Sequence, residues 1–411
     1  MLRSMSVAIS SLRNHQVYMD MVAGNIANVN TTGYKASRIS FQELLSQTLR
    51  ASSAPRGGIS GLNPIQIGLG MALGGIDTMF GQGSLQDTGR LTDLAIQGDG
   101  FFVLDSGNGF VYSRDGVLDI GLDGSLVNVA TGMKVQGWMA GVSGVVDTSQ
   151  EVSNITIPFG QSMARASGTV GFQGNVSAEA VSGDTVETTI GIYDSQGTRH
   201  TIRLTFTRSP ASNEWTWAAS TSDAEITNIT PAGTTIDFDT NGQYDMSNPA
   251  TTIQVTYNNG AASPSTVNLD FTALTQLAGS GSVAPTNQDG LPPGTLTTFA
   301  VSTTGEVSAS FSNGLTRKVG QIALSRFLNS GGLKKVGQSL FAASANSGTP
   351  QIGLPESGGR GHISSGYLEM SNVELAREFT NMIAAQRGFQ ANSRVITSSD
   401  ELLQELVNLK R

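Results

Sequence analysis

Apolar residues recur along this chain at two periods, and the change of period marks its parts. Leu2, Met5, Ile9, Leu12, Gln16, Met19, Ala23 and Ile26 are spaced alternately three and four apart, with Gln16 the one polar interruption. This proline-free heptad pattern predicts a helix over 4–28, roughly 35–40 Å long at about 1.5 Å per residue. The C-terminus repeats the spacing at Leu375, Phe379, Met382, Gln386, Phe389, Ser393, Ile396, Asp400, Leu403 and Val407. A neighbouring stripe of Val395, Leu402, Leu406 and Leu409 broadens its apolar face. A helix over 372–408 follows, with Asn372 as its cap and Glu374 and Glu378 in its acidic first turn. Such helices are marginal in isolation. They either pack on a globular core or find equivalent seams on other chains. The second reading implies burial only on assembly, and frayed ends in a free monomer.

Between the helices the period falls to two. Ile202, Leu204 and Phe206 alternate with Thr201, Arg203, Thr205 and Thr207, as a half-buried antiparallel strand requires. The run Thr185 to Tyr193 precedes it across Asp194-Ser195-Gln196-Gly197, which predicts a hairpin. Trp215 and Trp217 share one face of the next strand, and Ile253, Val255 and Tyr257 alternate before Asn258-Asn259-Gly260. Short apolar runs also punctuate 71–145, where Asp115-Gly116 and Asp123-Gly124 suit tight turns of positive φ. Residues 28–70 read as loop and extended chain, with one short helix over Phe41 to Leu49. Residues 56–83, rich in glycine, read as a compliant segment, and 279–294, with Pro285, Pro292 and Pro293, as a linker.

The expected fold is mainly β with long α-helices at both termini. Two β domains stand in series, the outer inserted into the inner, beside a terminal helical coiled-coil domain. The expected division is 1–28 with 372–411 (helical), 29–70 with 355–371 (extended), 71–146 with 289–354 (inner β) and 147–288 (outer β).

Composition narrows the function. The 411 residues include 50 glycines, no cysteine and only 14% charged residues, with a formal charge of −8. So few Lys and Arg make a phosphate-binding groove improbable, which sets nucleic acid aside. The lack of cysteine excludes disulfide scaffolds, thiolate metal sites and cysteine nucleophiles. No apolar stretch approaches the roughly 20 residues of a membrane helix. The N-terminus, interrupted by Ser10, Ser11, Arg13, Asn14 and His15, argues against a cleavable secretory signal.

Little catalytic chemistry is visible. His15, His200 and His362 have no metal-site spacing, no nucleophile elbow or phosphate loop occurs, and Gly68-Leu69-Gly70 lacks a dinucleotide fingerprint's third glycine. No enzyme activity and no cofactor are expected. Asp237, Asp239 and Asn241, followed by Gly242, match the first half of a calcium loop. The twelfth position is Asn248, not a bidentate Glu, so a turn between strands is the preferred reading. Asp119 with Asp123-Gly124 is a weaker echo. Trp215 and Trp217 beside Glu214 leave open a secreted β-rich adhesin or glycan-binding protein, although paired carboxylates are missing.

Three blocks carry a family resemblance, in order. Asn25-Ile26-Ala27-Asn28-Val29-Asn30-Thr31-Thr32-Gly33-Tyr34-Lys35 resembles the N-terminal signature of flagellar rod and hook proteins. Leu94-Ala95-Ile96-Gln97-Gly98-Asp99-Gly100-Phe101-Phe102-Val103 resembles an internal block. Glu369 to Leu375, including Asn372, and Ala385 to Asn392, including Gln386 and Arg387, resemble the C-terminal end. Ile192-Tyr193-Asp194-Ser195-Gln196-Gly197, the blocks Phe311 to Gly314 and Gly320 to Leu324, and the length favour the hook branch over the shorter distal rod branch. The resemblance implies a non-enzymatic subunit of a curved, flexible tube that passes motor torque to the filament as a universal joint. It also implies paired terminal helices lining a central channel, and export without a cleaved signal by the type III apparatus. The implied partners are identical subunits in a helical homopolymer, distal rod and hook–filament junction proteins, and a hook cap during assembly.

Overall fold

A computed structural model describes residues 2–52, 54–55, 60–141, 144–246 and 251–409. The chain is mostly strand, with long helices α1 (Leu2–Ala27) and α2 (Leu375–Leu409) at its two ends. It forms two compact units. The first comprises Met1–Ile157, Ala300–Ser308 and Lys318–Arg411; the second comprises Pro158–Phe299 and Ala309–Arg317.

In the first unit, α1 leads into a two-stranded antiparallel ribbon. Ser37–Glu43 pairs with Met71–Thr78, from Ser37 opposite Thr78 to Glu43 opposite Met71, and Ser46–Arg50 pairs with Ile65–Gly68. The short helix expected over Phe41 to Leu49 is therefore strand. Pairing with Met71–Thr78 and Ile65–Gly68 satisfies the backbone of its strands. The glycine-rich stretch lies partly in the same ribbon, with Gly74 and Gly75 inside a strand. Arg56 to Ile59 lie outside the described residues.

Beyond the ribbon, Phe101–Asp105 and Phe110–Ser113 form a hairpin, and Lys134–Met139 pairs with the first of them. Their apolar faces build a core of Phe101, Val103, Tyr112, Phe327, Leu333 and Phe341, with Tyr112 edge-on to Phe327 at 4.8 Å between ring centroids. Gly124 takes the expected positive φ, +76°. Gly116 does not; it is glycine because the Leu94 carbonyl lies where a Cβ would stand, while Leu94 N donates to Gly116 O at 3.0 Å.

The second unit contains a five-stranded and a four-stranded sheet. The four-stranded one is an antiparallel meander of Thr185–Tyr193, Arg199–Arg208, Glu214–Ser220 and Thr235–Asp237. The five-stranded one runs Ile226–Pro231, Thr252–Tyr257, Ser265–Leu277, Thr169–Ser177, Ser282–Gln288, with one parallel pair, Thr169–Ser177 on Ser265–Leu277. One core contains Phe172, Ile190, Ile202, Leu204, Phe206, Trp215, Trp217, Ile253 and Phe271. The alternation and the common face of the two tryptophans appear as expected. The supposed linker does not: Ser282–Gln288 is an edge strand, and Leu291–Val301 pairs with Ser162–Arg165. Pro285 sits at the register shift of that edge, where a missing N–H is tolerated. The calcium-like segment turns at Gly242, and the Asp239 Oδ1 accepts from the backbone of Asn241 and Gln243, both at 2.8 Å. Asn248 lies outside the described residues.

Candidate functional site

The family-like blocks converge on a buried cluster of charge in the first unit. After α1, Gly33 takes a φ of +65° and donates its N–H to Glu369 O at 2.8 Å. That turn brings Lys35 to Glu369, Nζ to Oε1 at 2.6 Å, with both side chains fully buried. The other carboxylate oxygen of Glu369 meets Arg114 Nη1 at 3.2 Å, and its Oε1 also accepts from Gly83 N at 2.9 Å. The surplus positive charge is solvated by carbonyls. Lys35 Nζ donates to Gly81 O, and Arg114 donates to Ile96 O and Gly98 O. Burial pushes the Lys35 ammonium below its ordinary pKa although Glu369 pulls it back, and burial does the same to Arg114 against the same carboxylate.

Amide side chains extend the cluster. Asn372 Oδ1 accepts from Ala36 N at 2.8 Å, and its Nδ2 donates to Met79 O and Gly81 O. It is therefore a cross-strand clamp rather than the expected cap, and α2 begins at Leu375. Asn25 Oδ1 accepts from Ser37 N and from the Tyr34 hydroxyl, and its Nδ2 donates to Ser37 O. Asn28 and Thr31 close the end of α1, with Asn28 Nδ2 on Gly24 O and the Thr31 hydroxyl on Asn28 Oδ1. Gly98 and Gly100, both at positive φ, turn the chain into Phe101, over whose ring Arg114 lies at 5.4 Å. Asn30, Gln386 and Arg387 are exposed and stand apart, while Asn392 bonds only one turn back along α2, to Gly388 O. The sequence did not single out Arg114, nor Gln82, which donates to Ile96 O and accepts from Gly98 N, nor Lys335, which donates to Lys35 O and Ser37 Oγ. Their one signal is a charged or amide residue beside apolar runs in a charge-poor chain.

The helices pack against each other through a stripe other than the heptad seam. Among the described residues, the buried ones of α1 are Ala8, Ser11, Val22 and Asn25, the last held by Ser37 and Tyr34, and those of α2 are Glu378, Ala385 and Ser399. The approach is close: a Cβ on Gly388 would stand 2.5 Å from the His15 ring. On its ribbon side, α1 is held by Asn14 Nδ2 on Met71 O at 2.7 Å and by Tyr18 edge-on to Phe41. The helices thus have intrachain partners, which a reading of burial only on assembly leaves out. The seam itself is only partly covered. Met5, Leu12, Met19, Ile26, Met382, Ile396 and Leu403 are half-buried; Ile9, Leu375, Phe379, Phe389 and Val407 are exposed, Phe379 by 51% and Val407 by 67%. The side chain of Leu2 lies outside the described residues. Among the described residues, no helix is long and apolar enough to cross a membrane.

The sequence matches known flagellar proteins along its length. Residues 5–35 match the family described as flagella basal body rod protein, and 364–409 the C-terminal family of flagellar basal body rod FlgEFG protein. Residues 95–178 match the flagellar hook protein FlgE/F/G D1 domain, and 172–291 the flagellar basal body protein FlaE D2 domain. Flagellar hook protein FlgE of Treponema pallidum (strain Nichols) is 36% identical over 464 aligned positions, and that of Borreliella burgdorferi 37% over 446, each alignment covering all of both chains. A Bacillus subtilis relative named flagellar basal-body rod protein FlgG is 31% identical, again over both whole chains, so length alone does not separate rod from hook. The crystal structure of Helicobacter pylori flagellar hook protein FlgE2 aligns with 69% of this chain and all of its own, at 15% identity and a TM-score of 0.47. Four family matches in order and full-length relatives named for the hook establish that this chain belongs to the flagellar rod and hook family, as one of its hook proteins.

Proposed function

We propose that the open heptad seams of α1 and α2 are the faces through which subunits of this chain join into the hook tube. The observation that carries this reading is the placement of apolar side chains. Each helix already buries one stripe on the other, yet Ile9, Leu375, Phe379, Phe389 and Val407 remain solvent-facing on the seams. A second apolar face on an already packed helix calls for a second partner. In the tube that partner is an identical subunit. The charge cluster around Glu369 is the rigid base from which the helices project. The chain acts as a structural element with no catalytic role. Its other partners are the distal rod, the hook cap during assembly and the junction to the filament. It reaches the cell exterior through the type III apparatus, with no signal cleaved.

Paired substitutions on the two stripes test this. Ile9→Asn and Phe379→Asn should leave monomer stability within about 0.5 kcal/mol, as exposed sites usually do, and abolish tube formation. Val22→Asn should instead cost the monomer roughly 2 kcal/mol or more, because an amide would be buried without a partner. Urea unfolding and electron microscopy after induced assembly read the two effects. Normal curved tubes from the seam variants would remove the seam from the assembly interface, and straight tubes from the unsubstituted chain would favour a rod role.

A further inference from the structure

We propose that Arg326 and Arg360, in the first unit, form a binding site for a small oxyanion of the carboxylate or phosphate class. Arg326 ends the strand Leu324–Arg326, which pairs with Gln351–Gly353 so that Arg326 stands opposite Gln351. Arg360 folds back along that second strand, donating from Nε to Leu354 O at 2.8 Å and from Nη1 to Gln351 O at 3.4 Å. Arg326 Nη1 donates to Gly358 O at 3.3 Å. Both guanidiniums therefore flank the turn 356–360, and glycine makes the room. A Cβ on Gly353 would collide with the Arg360 guanidinium, and one on Gly359 would stand 2.8 Å from Arg326 Nη1. Burial first, and the charge of Arg326 second, push the Arg360 guanidinium below its ordinary pKa.

Two cations held side by side repel unless an anion sits with them. Elsewhere on the strands the chain supplies one: Arg38, Arg90, Arg165 and Arg203 each reach a carboxylate, on Asp77, Asp119, Asp289 and Glu187. Among the described residues, Arg326 and Arg360 reach none, although Glu356 lies exposed on the same turn and the chain has a formal charge of −8. Their bonds to carbonyls leave most of their N–H donors without an acceptor in the chain. The backbone adds more donors. Glu356, Gly358 and Gly359 have φ values of +59°, +59° and +75°, and the successive N–H groups of Ser357, Gly358 and Gly359 have no acceptor among the described residues. Successive amides in such a turn make an anion-binding concavity. A planar guanidinium adds two parallel N–H bonds to an oxyanion, where an ammonium offers a point charge. Two sources offer the oxyanion: a dissolved ion, or a side-chain carboxylate of a neighbouring subunit. Neither depends on the helix seams.

The test titrates sodium phosphate into the full-length chain before assembly, at constant ionic strength, and follows the 15N signals of the arginine side chains. The expected result is a saturable response of Arg326 and Arg360 at millimolar phosphate that sodium chloride does not reproduce. Arg326→Gln and Arg360→Lys, each confirmed as folded by far-ultraviolet dichroism, should each weaken binding by about tenfold or more, the lysine because it keeps the charge and loses the fork. Assembly separates the two sources. Phosphate that slows tube formation by the unsubstituted chain, and not by Arg326→Gln, identifies a neighbour's carboxylate as the ligand; phosphate that binds without that selective effect identifies a dissolved oxyanion. The proposal is overturned by a response that stays linear through millimolar phosphate, that chloride reproduces, or that both folded variants retain in full.

Discussion

At the residue scale, the ion triad of Lys35, Glu369 and Arg114 makes opposed predictions for its members. Glu369→Gln leaves two cations buried beside each other, and breaking a buried pair in this way costs about 3–5 kcal/mol. Lys35→Met leaves Arg114 and Glu369 matched one to one, so it should cost clearly less. Urea unfolding followed by far-ultraviolet dichroism ranks the two, and the reverse order would contradict the geometry. The lowered pKa of Lys35 also has a sign. Between that lowered value and 10.5, the unfolded chain holds a proton that the folded chain has shed. This group's contribution to stability therefore rises with pH through that alkaline window. The slope should be shallower in Lys35→Met, measured as midpoint against pH. A pairing of this kind is poorly legible in sequence. Lys35 and Arg114 lie 334 and 255 positions from Glu369, and a lone Arg between strands looks like any solvated charge. The family motif pointed to Lys35, but only the fold revealed what it binds.

At the element scale, legibility followed the solvent. Helices with one apolar seam and strands with one buried face announce their period, so both helices and the strand from Arg199 to Arg208 could be read directly. The ribbon of Ser37–Glu43 and Met71–Thr78 could not. Phe41, Leu73 and Ile76 are all exposed on it, and the alternation of half-buried Ser37 and Ile39 with exposed Arg38 and Ser40 stops at Phe41. The helix seam was legible while the intrachain stripe was not, because Ala8, Ser11, Ala385 and Ser399 are small and carry little hydrophobic signal. Close packing of small residues makes a prediction that helix propensity opposes. Gly388→Leu improves intrinsic helicity by nearly 1 kcal/mol, yet it drives a side chain into His15. If the contact holds α1 in place, hydrogen exchange of α1 amides should quicken in this variant while α2 stays helical by dichroism. Unchanged α1 protection would mean that the helix is held from the ribbon side alone.

At the scale of the whole molecule, composition and architecture account for each other. A charge-poor chain must satisfy its buried polar groups through backbone and amides, as Asn25, Asn372 and Asn259 do. Its two units have separate apolar clusters, one around Phe101 and Tyr112, the other around Trp215, Trp217 and Phe271. Domains with their own cores unfold as separate cooperative steps unless a large apolar interface ties them together. The three tryptophans make this measurable. Trp138 lies in the first unit, its indole N–H on Gln150 O at 2.8 Å, whereas Trp215 and Trp217 are buried in the second. In Trp138→Phe, fluorescence reports the second unit alone, while dichroism at the helical minimum follows α1 and α2 in the first. The two urea transitions should have different midpoints. Adding Glu369→Gln should lower the dichroism midpoint and leave the fluorescence midpoint where it was. A coincident shift of both would mean that the units fold as one body, and that the charge cluster stabilises the whole chain rather than the unit that carries the helices.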